Sequence, residues 1–513
     1  MRHDWNSLLT DDLSLRVTKY SKDFFPHKSV MIQYLNDFTR HYQLNVQYET
    51  DIRNITPSQW PGGKFTMQDQ FANIYSCAVV IVATGYSKEK LATFPGSEHT
   101  VSYGDMSMNP DDYLGHSVLI LGRGNSGFET ADGILSSTNF IHMLSRSRVK
   151  LSWETHYVGD LRAINNGLLD TYQLKSLDGV LEAPVSALNI VKLDNGKLRV
   201  KIDEKYTFDN YAMRCDYDTI ISCLGFVYDF SIFNQSAAHP TPHKRFSKFP
   251  SIHQNYESDS IAGLFFAGTS THSLDFKRSA GGFIHGFRYT TRALFHLLEW
   301  KYQGVKWPST SYSWLSLSNA IIKRVNEASG TYQMFGVLGD VMLIDDEEKR
   351  VILLEEFPVK LLGRLYEHSG HNHTRSIVML FEYGKDFSGP GKDIFRTTRS
   401  TGEPYEAHTS NFLHPTFYYY KTSPTEDDLD SLTYPDILPN PDRLHHIVED
   451  FLTDFDARKS HILPLRRYLE TCLGTDLRHH FQDECFELAL AHKTLPLDCE
   501  ERYMANMGLG VLS

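Results

Sequence analysis

The chain has 513 residues, 41% hydrophobic and 22% charged, which describes an ordinary globular protein with room for roughly two to four domains. Its formal net charge of −12 argues against a nucleic-acid-binding surface, which needs clustered Lys and Arg. No apolar run approaches the ~18 residues that cross a bilayer, and the opening MRHDWNSLL lacks the apolar centre of a signal peptide.

In chain order, the first predicted elements are a helix over residues 29–42 and a buried strand over 77–82. Ile32, Leu35, Phe38 and Tyr42 supply the helical spacing; C-A-V-V-I-V supplies the strand, which closes on Thr84-Gly85. A second unit opens near His116, with a strand at 118–121, a glycine turn, a helix at 128–135 and a strand at 140–144. This is a βαβ unit and predicts a parallel sheet. Strands at 219–223 and 264–266 each run into a glycine, Gly225 and Gly268, and a long helix spans 281–300.

After Pro308 the character changes. A helix is expected to end at Ser329-Gly330 with the glycine as its C-cap. Apolar runs at 341–344 and 351–354 flank D-D-E-E-K-R and read as a hairpin; 377–383 and 417–420 add strands. Residues 305–513 read as a separate α+β domain without a catalytic motif. The aromatic cluster at 417–420 is either a packed strand or a candidate surface for partners.

The strongest chemical signal is V-L-I-L-G-R-G-N-S-G-F-E-T-A. Gly122 permits a tight turn after the strand, Gly124 lets backbone approach a pyrophosphate, and Gly127 lets the helix pack closely on the sheet. Asn125 and Ser126 then stand at a helix N-terminus, where free N–H groups favour negative charge. An acidic residue ~20 positions on would accept the ribose hydroxyl of NAD. The chain instead offers Ser145-Arg146-Ser147-Arg148, so Arg146 and Arg148 favour the 2′-phosphate of NADPH, the alternative being a solvated arginine pair.

The glycine-terminated strands fit a flavoprotein in which an NADPH domain is inserted into an FAD domain. Thr84, Gly85 and Gly225 lie at the two crossovers. G-L-F-F-A-G-T resembles the late FAD motif, with Gly268 followed by Thr269 where many relatives have Asp. Gly282 and Phe283 open the helix that would face the flavin. No strand–GxGxxG–helix precedes Gly122, so the FAD half is expected to be incomplete at its front and to hold FAD weakly or not at all.

The G-R-G-N-S-G-F-E-T-A segment, the stretch from L-S-R-S-R-V-K to L-K-S-L-D-G, and R-S-A-G-G-F-I-H-G-F-R-Y-T-T-R resemble the FAD-dependent oxidoreductase domain-containing protein 2 family, itself related to flavin-containing monooxygenases. The likeness continues through N-E-A-S-G-T-Y-Q-M-F-G-V-L and H-H-I-V-E-D-F-L-T-D. It implies FAD and NADPH as cofactors and the endoplasmic reticulum lumen as location. It also implies misfolded lumenal proteins and the degradation machinery of that compartment as partners. Family members carry a signal peptide, an FAD fingerprint and a KDEL-like tail, none of which is found in this sequence. The expected fold class is therefore α/β, a two-dinucleotide-binding flavoprotein with a C-terminal α+β domain. Its parts are an incomplete FAD domain at 1–115, an NADPH domain at 116–216, an FAD return segment at 217–304 and the α+β domain at 305–513.

Two functional readings follow: a monooxygenase-like oxidoreductase, or a non-catalytic client-binding adaptor on a flavoprotein scaffold. Phe94, Gly96, His99 and Tyr103 echo a Baeyer–Villiger-type fingerprint, with His99 one residue too near Gly96 and Tyr103 in place of Trp, so no substrate or catalytic residue is assigned. Cys77, Cys215, Cys223, Cys472, Cys485 and Cys499 contain no C-x-x-C pair, and a disulfide among the last three is one option. His445, His446, Glu449 and Asp450 lie at helical spacing without H-E-x-x-H order, so no metal is assigned. The sequons at Asn54, Asn234 and Asn372 suit a lumenal protein.

Overall fold

The computed structural model describes residues 9–10, 12–23, 26–57, 64–146, 166–168, 179–206, 216–276, 278–372, 374–384, 403–410, 412–433, 436–449 and 454–477. The chain packs as two compact units, one formed by residues 53–57 and 84–251, the other by 1–52, 58–83 and 252–513.

The 84–251 unit is built on a five-stranded sheet in the order Val101–Ser102, Thr219–Ser222, Ser117–Leu121, Phe140–Ser145, Val180–Glu182. Every neighbouring pair runs parallel. All five residues of Ser117–Leu121 are buried, as a central parallel strand covered on both faces must be. The next strand in sequence lies on one side of it, Phe140–Ser145, and a much later one on the other, Thr219–Ser222. That arrangement makes the carboxyl end of Ser117–Leu121 a topological switch point, where open α/β sheets bind ligands. Helix Asn125–Ile134 returns over the sheet, burying Phe128, Ala131 and Ile134.

The other unit holds a parallel pair, Val80–Val82 with Leu264–Phe266, and a six-stranded antiparallel sheet. The order of the latter is Ser309–Ser313, Arg350–Pro358, Leu338–Asp345, Ser376–Glu382, His414–Tyr420, Arg443–His446. Alternate residues serve two cores. Val341, Leu343 and Leu354 pack with helix Ile284–Leu298, while Met342, Ile344 and Leu353 pack with helices Leu317–Glu327 and Leu463–Leu473. No helix among the described residues is long and apolar enough to cross a membrane.

Several expectations change. The run 77–82 is two strands, Ile74–Cys77 and Val80–Val82, and Ile81 is exposed. The early helix runs Lys28–His41, yet Ile32 and Leu35 are exposed and Tyr34 is the buried residue, held in a cluster with Leu15 and Val17. Gly330 is not a C-cap: the helix ends at Glu327, and Gly330 lies inside the short helix Ser329–Gln333. Phe417–Tyr420 is a packed strand, buried throughout because the sheet is covered on both faces, and not a surface. His445 and His446 lie on a strand, so helical spacing does not apply to them. Cys472 is a buried free thiol, while Cys215, Cys485, Cys499 and Asp450 lie outside the described residues.

Candidate functional site

The site grows out of the turn that follows Ser117–Leu121. Gly122 adopts φ +117°, and a Cβ there would sit 2.2 Å from the Cys223 carbonyl oxygen. Its amide donates to the Leu144 carbonyl at 2.7 Å, so the turn is tied to strands on both sides. Gly127 is equally constrained, since a Cβ would lie 2.7 Å from the Gly122 carbonyl oxygen. Gly124 differs. Nothing stands within 4 Å of a Cβ placed on it, and it is the residue preceding helix Asn125–Ile134, where it gives the helix no side-chain cap.

Two of the three glycines are thus required by packing and the third leaves open space beside the helix N-terminus. A pyrophosphate fits that cradle: backbone and helix dipole supply the donors and no side chain fills the place. Asn125 and Ser126 form the first turn, both half-buried, and Ser126 lies near the Tyr103 hydroxyl. Burial raises the Tyr103 pKa, keeping the phenol neutral.

Arg123, which the spacing treats as filler between glycines, is a residue that sequence reasoning missed. Its side chain is almost wholly buried, with Nη2 3.6 Å from a Glu182 carboxylate oxygen at the end of the outermost sheet strand. Burial lowers its pKa and the Glu182 charge opposes that. An arginine placed directly after Gly122 was the available signal.

Arg146 is exposed immediately beyond strand Phe140–Ser145, while Arg148 lies outside the described residues. Gly85 and Gly225 take positive φ, 68° and 84°, and Thr84 is exposed just before Gly85. Phe94 is buried, and a Cβ on Gly96 would meet the Ile190 carbonyl oxygen at 2.0 Å. His99 closes the short helical turn Ser97–His99, and Tyr103 packs edge-on against Phe226 at 5.9 Å. The Phe94, Gly96 and His99 segment is thereby structural.

In the other unit, strand Leu264–Phe266 runs into the turn Gly268–Thr271, with Gly268 at φ +68° and nothing within 4 Å of its Cβ direction. Ser270 and Ser273 are buried, and their hydroxyls have no partner among the described residues. Thr269 is half-buried beside them. His272 Nδ1 is 2.8 Å from Asp275, whose other oxygen accepts from Ser279 at 2.5 Å and the Gly281 amide at 2.9 Å. Gly282 lies against the His272 ring, a Cβ there coming within 3.1 Å. Phe283 precedes helix Ile284–Leu298, which has no side-chain cap, and stacks on His285 at 5.4 Å. Open glycine turn, orphan hydroxyls and uncapped helix fit the hydroxyl-rich and polar edges of a flavin nucleotide. A second strand–glycine–helix cradle is absent among the described residues. The described residues also hold no group of His, Cys, Asp and Glu suited to a metal ion.

A family profile described as pyridine nucleotide-disulphide oxidoreductase matches residues 4–268. FAD-dependent oxidoreductase domain-containing protein 2 of Mus musculus is 49% identical over 532 residues, spanning 99% of this chain and 80% of the mouse protein. Its counterpart in Danio rerio is 40% identical over 553 residues, spanning 99% and 79%. Among solved structures, bacillithiol disulfide reductase of Staphylococcus aureus matches with 15% identity and a TM-score of 0.43, over 59% of this chain and 85% of that one. A flavin-containing monooxygenase of Stenotrophomonas maltophilia matches with 15% identity and a TM-score of 0.40, over 54% and 78%. The glycine cradle on a central parallel strand, the profile match and the near full-length identities agree: the chain belongs to the FAD-dependent oxidoreductase domain-containing protein 2 family, within the pyridine nucleotide-disulphide oxidoreductases.

Proposed function

We propose that the chain is a monooxygenase-like flavin oxidoreductase that draws reducing equivalents from NADPH, works in the lumen of the endoplasmic reticulum and takes part there in the degradation of misfolded proteins. The observation that carries the redox part is the open space at Gly124 beside the uncapped N-terminus of helix Asn125–Ile134.

The amides after Gly124 hold the pyrophosphate of the nicotinamide nucleotide, and Asn125 and Ser126 orient it. Arg146 at the carboxyl end of the adjacent strand pairs with the 2′-phosphate, with Arg148 as its second partner. Gly268, Thr269, Ser270, Ser273, Gly282 and Phe283 hold the flavin nucleotide, and Thr84, Gly85 and Gly225 carry the chain between the two dinucleotide-binding parts. When bound, the flavin supplies the redox chemistry, accepting hydride and passing electrons to oxygen. A dithiol relay of the disulphide-reductase type has no C-x-x-C pair to work with, and Cys223 is buried with its thiol pKa pushed up to about 11 by burial. The lumenal assignment is supported by sequons whose Asn54 and Asn372 are exposed.

The test is calorimetric titration with NADPH and NADH. Tighter binding of NADPH than NADH is expected. Binding of neither nucleotide would sink the redox reading. For location, expression with a secretory leader should give a mobility shift removed by endoglycosidase. Co-purification of misfolded lumenal proteins is expected, and its absence would remove the degradation role.

A further inference from the structure

The antiparallel sheet carries an irregularity that gathers five charged side chains. Gly339 pairs with Phe357 and Val341 with Leu354, so the single residue Asp340 faces two, Glu355 and Glu356. This is a β-bulge, a device that re-aims side chains. Glu356 takes φ +55°, in the left-handed region, and its amide donates to Asp340 at 2.9 Å. The fully buried Asp340 accepts twice from Arg324, at 2.7 and 2.9 Å. Arg324 also reaches Glu355 at 2.7 Å, and Arg292 pairs with Glu356. Three carboxylates therefore share two guanidinium groups. The cluster is one positive charge short, and the half-exposed Glu355 carboxylate faces solvent at its edge.

Glu355, Glu356 and Arg292 form one wall of a cavity of about 380 Å³, large enough for a small organic group. Its other walls are aliphatic and aromatic: Ala293, Leu353, and Trp307 with His296 packed on it at 5.0 Å. Burial and the nearby Arg292 lower the His296 pKa, so that ring is neutral and adds no competing charge. Ser309 and Thr310, the start of the edge strand Ser309–Ser313, also line the cavity. That strand has no partner on its outer side among the described residues, and Ser309, Thr310, Ser311 and Ser313 are exposed. It carries no charge and no proline of the kind that blocks strand addition.

We propose that this edge binds an extended segment of another polypeptide as an added strand outside Ser309–Ser313, with a lysine side chain of that segment entering the cavity. Its aliphatic stem lies on Trp307 and Ala293, and its ammonium supplies the missing positive charge at Glu355. The pocket selects the side chain and the strand edge supplies main-chain hydrogen bonds, the division of labour of strand-addition sites. The assignment does not depend on cofactor binding.

The experiment titrates the full chain into a fluorescently labelled peptide of alternating Thr and Val around a central lysine, read by anisotropy. Replacing the lysine by norleucine, which keeps the stem and removes the charge, should weaken binding roughly tenfold or more. A glutamate peptide should not bind. Methylating alternate backbone amides should abolish binding in one of the two registers and spare it in the other. Glu355→Gln should reduce lysine-peptide affinity by a similar factor and leave the norleucine peptide unchanged, with its melting temperature recorded alongside. Equal affinity for the lysine, norleucine and glutamate peptides, or no binding of the lysine peptide, overturns the proposal. So does binding indifferent to amide methylation in both registers. The peptide series on the unsubstituted chain decides the question even if Glu355→Gln fails to fold.

Discussion

A methyl group on Gly122 would lie 2.2 Å from the carbonyl oxygen of Cys223, the residue that follows the neighbouring strand Thr219–Ser222 of the parallel sheet. The turn that carries the fingerprint is thereby pinned by the sheet itself, before any ligand arrives.

Gly122→Ala should for that reason damage the fold as well as the site. The residue would have to leave φ +117° and the backbone would have to part from Cys223. A loss of roughly 1–3 kcal/mol is expected, read as a lower denaturation midpoint together with lost nucleotide binding. An unchanged midpoint would show that the turn can relax.

Gly124→Val separates the two effects. With nothing within 4 Å of its Cβ direction, the side chain is accommodated in the free protein and occupies the place of the pyrophosphate. The melting temperature should stay close to that of the unsubstituted chain while NADPH affinity falls at least tenfold. A parallel loss of stability would mean that Gly124 is structural.

Arg146→Gln should change which nicotinamide is preferred. Its exposure makes folding tolerant, and a charge-assisted phosphate contact is worth roughly 1.5–3 kcal/mol. NADPH affinity should drop by about tenfold or more with NADH affinity nearly unchanged. An equal effect on both nucleotides would place the arginine away from the 2′-phosphate.

Asp340→Asn should destabilise strongly. Asp340 is fully buried and takes both bonds of the Arg324 fork, and weakening one partner of a buried pair costs on the order of 3 kcal/mol. The check is chemical denaturation, with Glu348→Gln as an exposed control near the same hairpin.

Acid should destabilise the unit formed by residues 1–52, 58–83 and 252–513. Burial lowers the pKa of His414 and His445 to about 4 from 6.5. Both are neutral when folded at neutral pH. As pH falls below 6.5 the unfolded chain takes up protons that the folded chain refuses, so stability is lost between 6.5 and about 4, on the order of 1 kcal/mol per pH unit for each histidine. His445→Phe keeps the 5.0 Å stack on Tyr468 and should flatten that slope. An unaltered slope would show that His445 does not titrate in this window.

What could be read without coordinates was whatever depends on neighbours in sequence. The spacing of Gly122, Gly124 and Gly127 after an apolar strand announces the cradle, because the three positions lie within six residues of one another at the junction of strand and helix. The 338–345 and 350–358 strands were legible as a hairpin for the same reason. Helical spacing marked Ile32 and Leu35 as core, but which face of that helix is covered depends on the segment holding Leu15 and Val17, and Tyr34 won. The run 77–82 hid a break that no periodicity reports.

The sequence by itself determined the parallel nucleotide-binding unit, its cradle and the arginine that follows the second strand. Only the tertiary structure decided that Arg123 is buried against Glu182, and that Asp340, Glu355 and Glu356 meet at one bulge with Arg292 and Arg324. The reason is physical. A glycine fingerprint is a pattern of positions close together in sequence, whereas a charge cluster is a meeting of separate elements whose register the sheet alone sets.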